Sequence, residues 1–363
     1  MDVVMARSEK RCAKDLKYWV IQLAAVIFCS FSATPSASIA QPTDMEEVVP
    51  FLTLRNDTGS DVPEESFGDE RSNPKAGWCK VRELDLDLLS PLAEASPAYI
   101  REELLKVDWV QKARRDAVFD ALEISAGGGM PLLYVHGYNI SFEKGCRRAS
   151  TLQKNAGLTG RLLWFSWPSD GALTNYTHDE ADLYWSIPDL ADAIEEMEGR
   201  FGGNRTSIAG HSLGARGVVL ALYEVASRNP DIRIDEVVLL APDMDFQIFE
   251  RILPRIRPIV GNITIYITSG DRPLALSAQL HGYPRLGETG NDVSNLSAVE
   301  IIDLSDLPAE SPTGHLYHIY SEEVGADLSQ LLNEGKPANK RRNLVRTGKN
   351  LWILHQDDGV ADE

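Results

Sequence analysis

The chain has 363 residues, is 43% hydrophobic and carries a formal net charge of −18, so it can build one large domain, or two modest ones, around a substantial core. The acid excess argues against a general nucleic-acid binder, which carries a basic footprint. Four cysteines, Cys12, Cys29, Cys79 and Cys146, show no CxxC or metal-ligand spacing and exclude a disulfide-dense scaffold or a zinc ribbon.

Arg7, Lys10, Arg11, Lys14 and Lys17 precede a nearly uncharged apolar run at 18–29, and Ser38-Ile39-Ala40 supplies a small-x-small site. Residues 1–40 therefore read as a secretory signal cleaved after Ala40, which implies an exported protein, periplasmic or extracellular. The apolar run is short for a membrane span of about 20 residues. An uncleaved inner-membrane anchor is the second reading and a buried helix the third. Once the segment is removed, Cys79 and Cys146 remain, and whether they pair is open.

Residues 41–80 read as a variable lead-in: a short apolar piece at 48–54, then a flexible loop at 56–77 rich in Asp, Glu, Gly, Ser and Pro. Residues 81–89 follow as an edge strand or irregular lead-in, and the apolar spacing of 99–122 predicts a helix. An alternating series then begins. Strands are expected at 130–135, 161–167, 205–209, 234–240, 263–268 and 299–302. Helices are expected at 141–156, at 178–198 with a break at Pro188, and at 213–227. The alternation predicts a three-layer α/β fold with a mostly parallel central sheet over residues 81–330. Residues 331–363 form a basic C-terminal extension, with Lys336, Lys340, Arg341, Arg342, Arg346 and Lys349 before an apolar 351–354. It reads as a solvated linker with one packed strand, or as a contact for an anionic membrane surface or a partner.

The most informative stretch is Gly210-His211-Ser212-Leu213-Gly214. A strand pattern precedes it and a helix pattern follows, which makes Ser212 the turn of a nucleophile elbow and offers the Leu213 N–H to a reacting oxygen. The plainer reading is a Gly-rich turn with a helix-capping serine. A serine nucleophile needs an imidazole to take its proton and a carboxylate to orient that imidazole. Asp271, after the strand at 263–268, is the first candidate acid. Asp243, after the strand at 234–240, is its rival, with a cap or supporting hydrogen-bond role as the alternative. His315 follows the last strand by a loop and is the first candidate base; His318, His281 and His355 are the others. His136-Gly137-Tyr138-Asn139 follows the strand at 130–135. There the Tyr138 N–H would be the second oxyanion donor, with His136, Gly137 and Asn139 shaping the loop. No HExxH motif is present, so no metal is expected, and the chemistry calls for no cofactor.

Residues 133–139 (LYVHGYN), 165–169 (FSWPS), 209–214 (AGHSLG), 240–243 (LAPD) and Gly314-His315-x-Tyr317 together resemble the α/β-hydrolase superfamily. They resemble more closely the bacterial family called DUF900, alpha/beta hydrolase of unknown function. The likeness spans about residues 130–330, and SWPS is its most specific piece. It implies a serine hydrolase with Ser212, Asp271 and His315 as the triad and names no substrate. Arg272-Pro273 departs from the small residue usual before Leu274. The expected activity is hydrolysis of a small or medium ester through an acyl-enzyme. A catalytically inactive hydrolase-like binding or scaffolding protein is the alternative. Phe165, Trp167, Tyr176, Tyr184 and Trp185 are either core or cover for an acyl pocket, with Met244, Phe246, Ile248 and Phe249 as a further wall.

Overall fold

Central strands buried on both faces need continuous apolar runs, and the sequence supplies them: β4 (Leu132–Val135), β5 (Leu162–Ser166) and β6 (Ser207–His211) are buried at every position. The computed structural model describes residues 48–84, 96–172, 175–202 and 205–356; the segment read as a signal or anchor lies outside them. Flanking the central strands are β1 (Val48–Asp57), β2 (Phe67–Glu83), β3 (Leu105–Ala113), β7 (Ile234–Leu240), β8 (Val260–Ile267), β9 (Val299–Asp303), β10 (Leu344–Arg346) and β11 (Leu351–Leu354). All belong to one sheet in the order β10-β11-β9-β8-β7-β6-β4-β5-β1-β2-β3. Pairing is parallel from β11 across to β1. It is antiparallel only at the edges, in β1-β2-β3 and β10-β11.

The main helices are α1 (Arg115–Ala126), α2 (Phe142–Asn155), α3 (Tyr176–Phe201), α4 (Leu213–Arg228), α5 (Phe246–Ile256), α6 (Arg272–His281) and α7 (Glu322–Glu334). Leu183, Ile194, Val218, Leu222 and Phe249 of α3, α4 and α5 pack into one apolar layer. Cys146, Leu152, Val324 and Leu328 of α2 and α7 pack into the other. The result is the three-layer α/β arrangement with a largely parallel sheet that the alternating pattern predicts.

Several local expectations change. Of the loop expected at 56–77, the part from Phe67 onward is strand: β2 pairs with β1 on one side and β3 on the other. Its middle is polar because it is exposed, not because it lacks structure. The helix expected at 99–122 is instead two short turns, then β3, then α1 from Arg115. Leu105 and Val107 alternate with Lys106 and Asp108, and pairing with β2 satisfies the backbone. The helix α3 runs unbroken through Pro188; that residue is exposed, so water can meet the carbonyl its ring leaves unbonded. The packed strand expected in the C-terminal extension is β11, which adds in parallel beside β9. The basic tail is correspondingly less free than its composition suggests. The Arg341 side chain is fully buried, donating to Asp327 Oδ2 (2.7 Å), Glu300 Oε2 (3.0 Å) and the Tyr266 hydroxyl (3.2 Å).

Cys79 of β2 and Cys146 of α2 form a disulfide with Cα atoms 6.5 Å apart. It ties the N-terminal hairpin to a helix on the sheet face and closes a long loop in the unfolded chain. No helix among the described residues is long and apolar enough to cross a membrane.

Candidate functional site

The turn between β6 and α4 holds Ser212 at φ 53° and ψ −122°, a conformation that residues with side chains rarely adopt. The flanking glycines are steric necessities. A Cβ on Gly210 would stand 2.6 Å from Ala215 Cα, and one on Gly214 would stand 2.2 Å from the His136 carbonyl oxygen. The Ser212 N–H donates to Leu240 O (2.9 Å), and the Asp243 N–H donates to Ser212 O (3.1 Å), which fastens the turn to the end of β7. The loop after β4 crosses close by: a Cβ on Gly137 would lie 2.9 Å from Ser212 Cβ. The N–H groups of Tyr138 and Leu213 have no acceptor among the described residues. Two unpaired donors thus flank a serine at a helix N-terminus, an arrangement suited to a negative oxygen.

Asp271 is the N-cap of α6. Its Oδ1 accepts from the Leu274 N–H (2.9 Å), and its Oδ2 accepts from His315 Nδ1 (2.5 Å). The Arg272 N–H donates to Thr313 O (3.1 Å) and holds the histidine loop against the start of α6. His211, the neighbour of Ser212, donates from Nε2 to His315 O (3.1 Å), and the two rings have centroids 4.5 Å apart. Asp271 and His315 are thereby joined directly, and His315 touches the residue beside Ser212. Among the described residues, Ser212 Oγ makes no hydrogen bond to His315. His318 is packed, not exposed: its ring lies 4.2 Å from that of His211, and its Nε2 is 3.4 Å from the Tyr134 hydroxyl. Burial, reinforced by the neighbouring histidines, pushes His211 and His318 well below the usual imidazole range and keeps both neutral. His281 sits at the end of α6 near Glu180 (3.5 Å), and His355 pairs with Asp306 (3.5 Å).

Asp243 has different surroundings. Its Oδ1 accepts from Arg285 Nε (2.7 Å) and the Ser277 hydroxyl (2.6 Å), its Oδ2 accepts from the Tyr176 hydroxyl (2.5 Å), and Arg216 Nη2 is 3.5 Å from Oδ1. Arg216 also reaches Glu180 and donates from Nε to the Asp243 carbonyl (2.7 Å). The partners Arg216 and Arg285 escaped the sequence reading, and Tyr176, read as core or pocket cover, is a hydrogen-bond donor to this carboxylate. An arginine within the apolar start of α4 was the available signal.

His136 stacks on Trp167 at 5.0 Å, with Gly137 O and Trp167 O 2.8 and 3.2 Å from its ring nitrogens. Burial brings its pKa down to about 3, so the neutral ring donates to one of the two carbonyls. Asn139 takes a left-handed φ of 59° and donates its N–H to Asp179 Oδ2 (3.1 Å). Phe165 and Trp167 belong to the core, as do Met244, Phe246 and Phe249. Tyr184, Trp185 and Ile248 are exposed, whereas Tyr176 packs edge-on against Tyr138 at 5.2 Å. Asp170, His178 and Asp179 bring one ligand-type atom each within 4.8 Å of the others. The Asp170 and Asp179 oxygens already accept from Ser169, Asp170, Ala172 and Asn175 of the adjoining turn and from the Asn139 N–H of the loop after β4.

Residues 112–334 match the family described as alpha/beta hydrolase of unknown function (DUF900). No curated protein matches the chain. Among solved structures it is similar to a predicted CIB-like hydrolase from Thermoplasma acidophilum, at 17% identity over 60% of this chain and 86% of that one, with a TM-score of 0.29. It is also similar to the HSL homologue EstE7 from a metagenome library, at 14% identity over 70% and 84%, with a TM-score of 0.34. A hyperthermophilic esterase from the archaeon Pyrobaculum calidifontis matches at 15% identity over 56% and 75%, with a TM-score of 0.31. None of these three likenesses carries an argument about chemistry.

Proposed function

The chain belongs to the DUF900 family of alpha/beta hydrolases, and we propose that it is a serine-dependent carboxylic ester hydrolase acting through an acyl-enzyme. The observation that carries the reading is the His315–Asp271 hydrogen bond (2.5 Å) beside the turn that holds Ser212. Ser212 Oγ attacks the ester carbonyl while His315 Nε2 takes its proton. Asp271 holds the Nδ1 proton and stabilises the imidazolium. The carbonyl electron pair moves onto oxygen, where the Leu213 and Tyr138 N–H groups receive it. The pair returns as the C–O bond breaks, and the proton on His315 passes to the leaving alcohol. Water then repeats the sequence on the acyl-enzyme, freeing the acid and Ser212. A small or medium acyl ester is the proposed substrate.

Labelling with a fluorophosphonate probe tests the reading. The wild-type protein is expected to label and Ser212→Ala to stay unlabelled. Equal labelling of the two removes Ser212 from its role, and no labelling of either favours a binding or scaffolding protein.

Export is part of the same proposal. A disulfide between Cys79 and Cys146 suits an oxidising compartment. N-terminal sequencing of the protein recovered from its native host is expected to begin at Gln41; an intact Met1 in a soluble cytoplasmic fraction would overturn this.

A further inference from the structure

Arg55 lies on β1, outside the family match at 112–334. It is 1% exposed, yet it is a cation that follows directly on the apolar run of that strand. Its guanidinium donates every hydrogen bond it makes: Nε to Ser166 Oγ (2.9 Å), Nη1 to Gly68 O (3.1 Å) and Ser169 O (2.7 Å), and Nη2 to Ile140 O (2.6 Å). Burial brings its pKa down to about 10, with Asp179 opposing the shift, so it stays charged at neutral pH. Burying such a group is tolerated when its donors are met. Here the acceptors include both loops that border the site, the one after β4 and the one after β5.

The same two loops are tied to each other. The Ser169 hydroxyl donates to Asp179 Oδ2 (2.5 Å) and accepts from the Ile140 N–H (3.0 Å). The Asn139 N–H donates to Asp179 Oδ2 (3.1 Å), and the Asp170 N–H donates to Asp179 Oδ1 (2.9 Å). The two residues after Tyr138 therefore have their N–H groups, and Ile140 its carbonyl, held by buried side chains. Ser166 and Ser169 are the two serines of the SWPS segment, which gives that motif a physical task.

We propose that Arg55, acting with Ser169 and Asp179, is a positioning residue for the oxyanion donor at Tyr138. It clamps the loop after β4 so that the Tyr138 N–H stays aimed at the carbonyl oxygen that Ser212 attacks. The inference rests on the ester-hydrolase reading and deepens it, because it makes the site depend on the N-terminal hairpin. Lysine could not replace the arginine, since an ammonium group cannot span the fork of a hydroxyl and three carbonyls.

The test compares full-length wild type, Arg55→Lys and Ser169→Ala. Four readouts are needed: kcat and KM on p-nitrophenyl acetate, affinity for an aryl trifluoromethyl ketone whose serine adduct carries an oxyanion, the pH profile, and Tm. Arg55→Lys is expected to lower kcat about 10- to 100-fold, the scale of a small misplacement of a catalytic group. KM should stay within about twofold, ketone affinity should fall by the same factor as kcat, and the pH profile should keep its shape because His315 is untouched. Ser169→Ala should show the same pattern more weakly. A folded Arg55→Lys with wild-type kcat and ketone affinity overturns the proposal, as does a loss confined to KM. Should Arg55→Lys not fold, wild-type kcat and ketone affinity in Ser169→Ala overturn it. Fluorophosphonate labelling separates the two failures. A wild-type protein that does not label at Ser212 sinks the ester-hydrolase reading, whereas normal labelling with unaffected variants sinks only this inference.

Discussion

Asp243 and Asp271 stand just past the ends of neighbouring strands, β7 and β8, and both are almost fully buried, yet their surroundings give them different work. Burial alone would raise the Asp243 carboxyl, but Arg216 and Arg285, with the Ser277 and Tyr176 hydroxyls, hold it below the usual carboxylate range. Its oxygens are occupied by a network that joins α3, α4 and α6. Asp271 accepts one backbone N–H and one imidazole N–H, which turns its second oxygen to a single side-chain partner. Glu236, at the other end of β7, completes the series. It accepts only from Thr264 Oγ1 (2.8 Å) and Asn262 Nδ2 (2.9 Å), with no ion pair among the described residues, and burial raises it to about 7. The three carboxylates thus differ by what surrounds them: arginines hold Asp243 ionised, Asp271 is turned to one imidazole, and burial raises Glu236.

Substitutions can break this comparison. The largest effect is expected from Asp271→Asn, which should lower kcat on a p-nitrophenyl ester on the order of 10⁴-fold, as loss of imidazole tautomer control does in serine proteases. Its stability should hardly change, since asparagine also caps a helix and can keep the Leu274 N–H bond. Asp243→Asn should do the reverse. It leaves two buried arginines without their shared anion, so a loss of about 3 kcal/mol or more is expected in urea unfolding, with kcat within about tenfold of wild type. If Asp243→Asn collapses activity in a folded protein while Asp271→Asn barely alters it, the orienting acid belongs one strand earlier. The smallest effect is expected from Glu236→Gln. Because the folded carboxyl titrates near 7 instead of at its ordinary 4.5, the folded state holds a proton that the unfolded chain releases between those values. Wild-type stability should therefore fall as pH rises through that window, by roughly 1–3 kcal/mol. Urea midpoints of wild type and Glu236→Gln should agree near pH 5, with the variant more stable near pH 8. A variant offset that is independent of pH would show that the carboxyl is already ionised in the folded protein.

The strands of the parallel sheet were legible because a strand covered on both faces must be a continuous apolar run, and a helix between two such strands repeats its own period; their order in the sheet was not. The turn at Ser212 was legible for a steric reason: only glycine fits at 210 and 214 when the chain bends so sharply. The pairing of Asp271 with His315 could be anticipated from chain order and resemblance, although Asp243 was an equal in local chemistry. The hairpin at the N-terminal edge was hidden. The polar middle of β2 has the composition of a loop, and the i to i+4 spacing in 99–122 fits a helix until β2 is there to pair with β3.

What the sequence determined by itself is therefore local: which segments are apolar enough to be strands, where the chain must turn, and which residue types stand at the turns. Tertiary structure decided the rest, namely the joining of Cys79 to Cys146, the burial of Arg341 against Asp327 and Glu300, the cage of arginines around Asp243, and the reach of Arg55 into the loops beside Ser212. The physical reason is common to all four. A buried charge or thiol is defined by partners that approach only when the sheet has formed, and those partners lie from 13 to 114 residues away, at separations that no period in the sequence records.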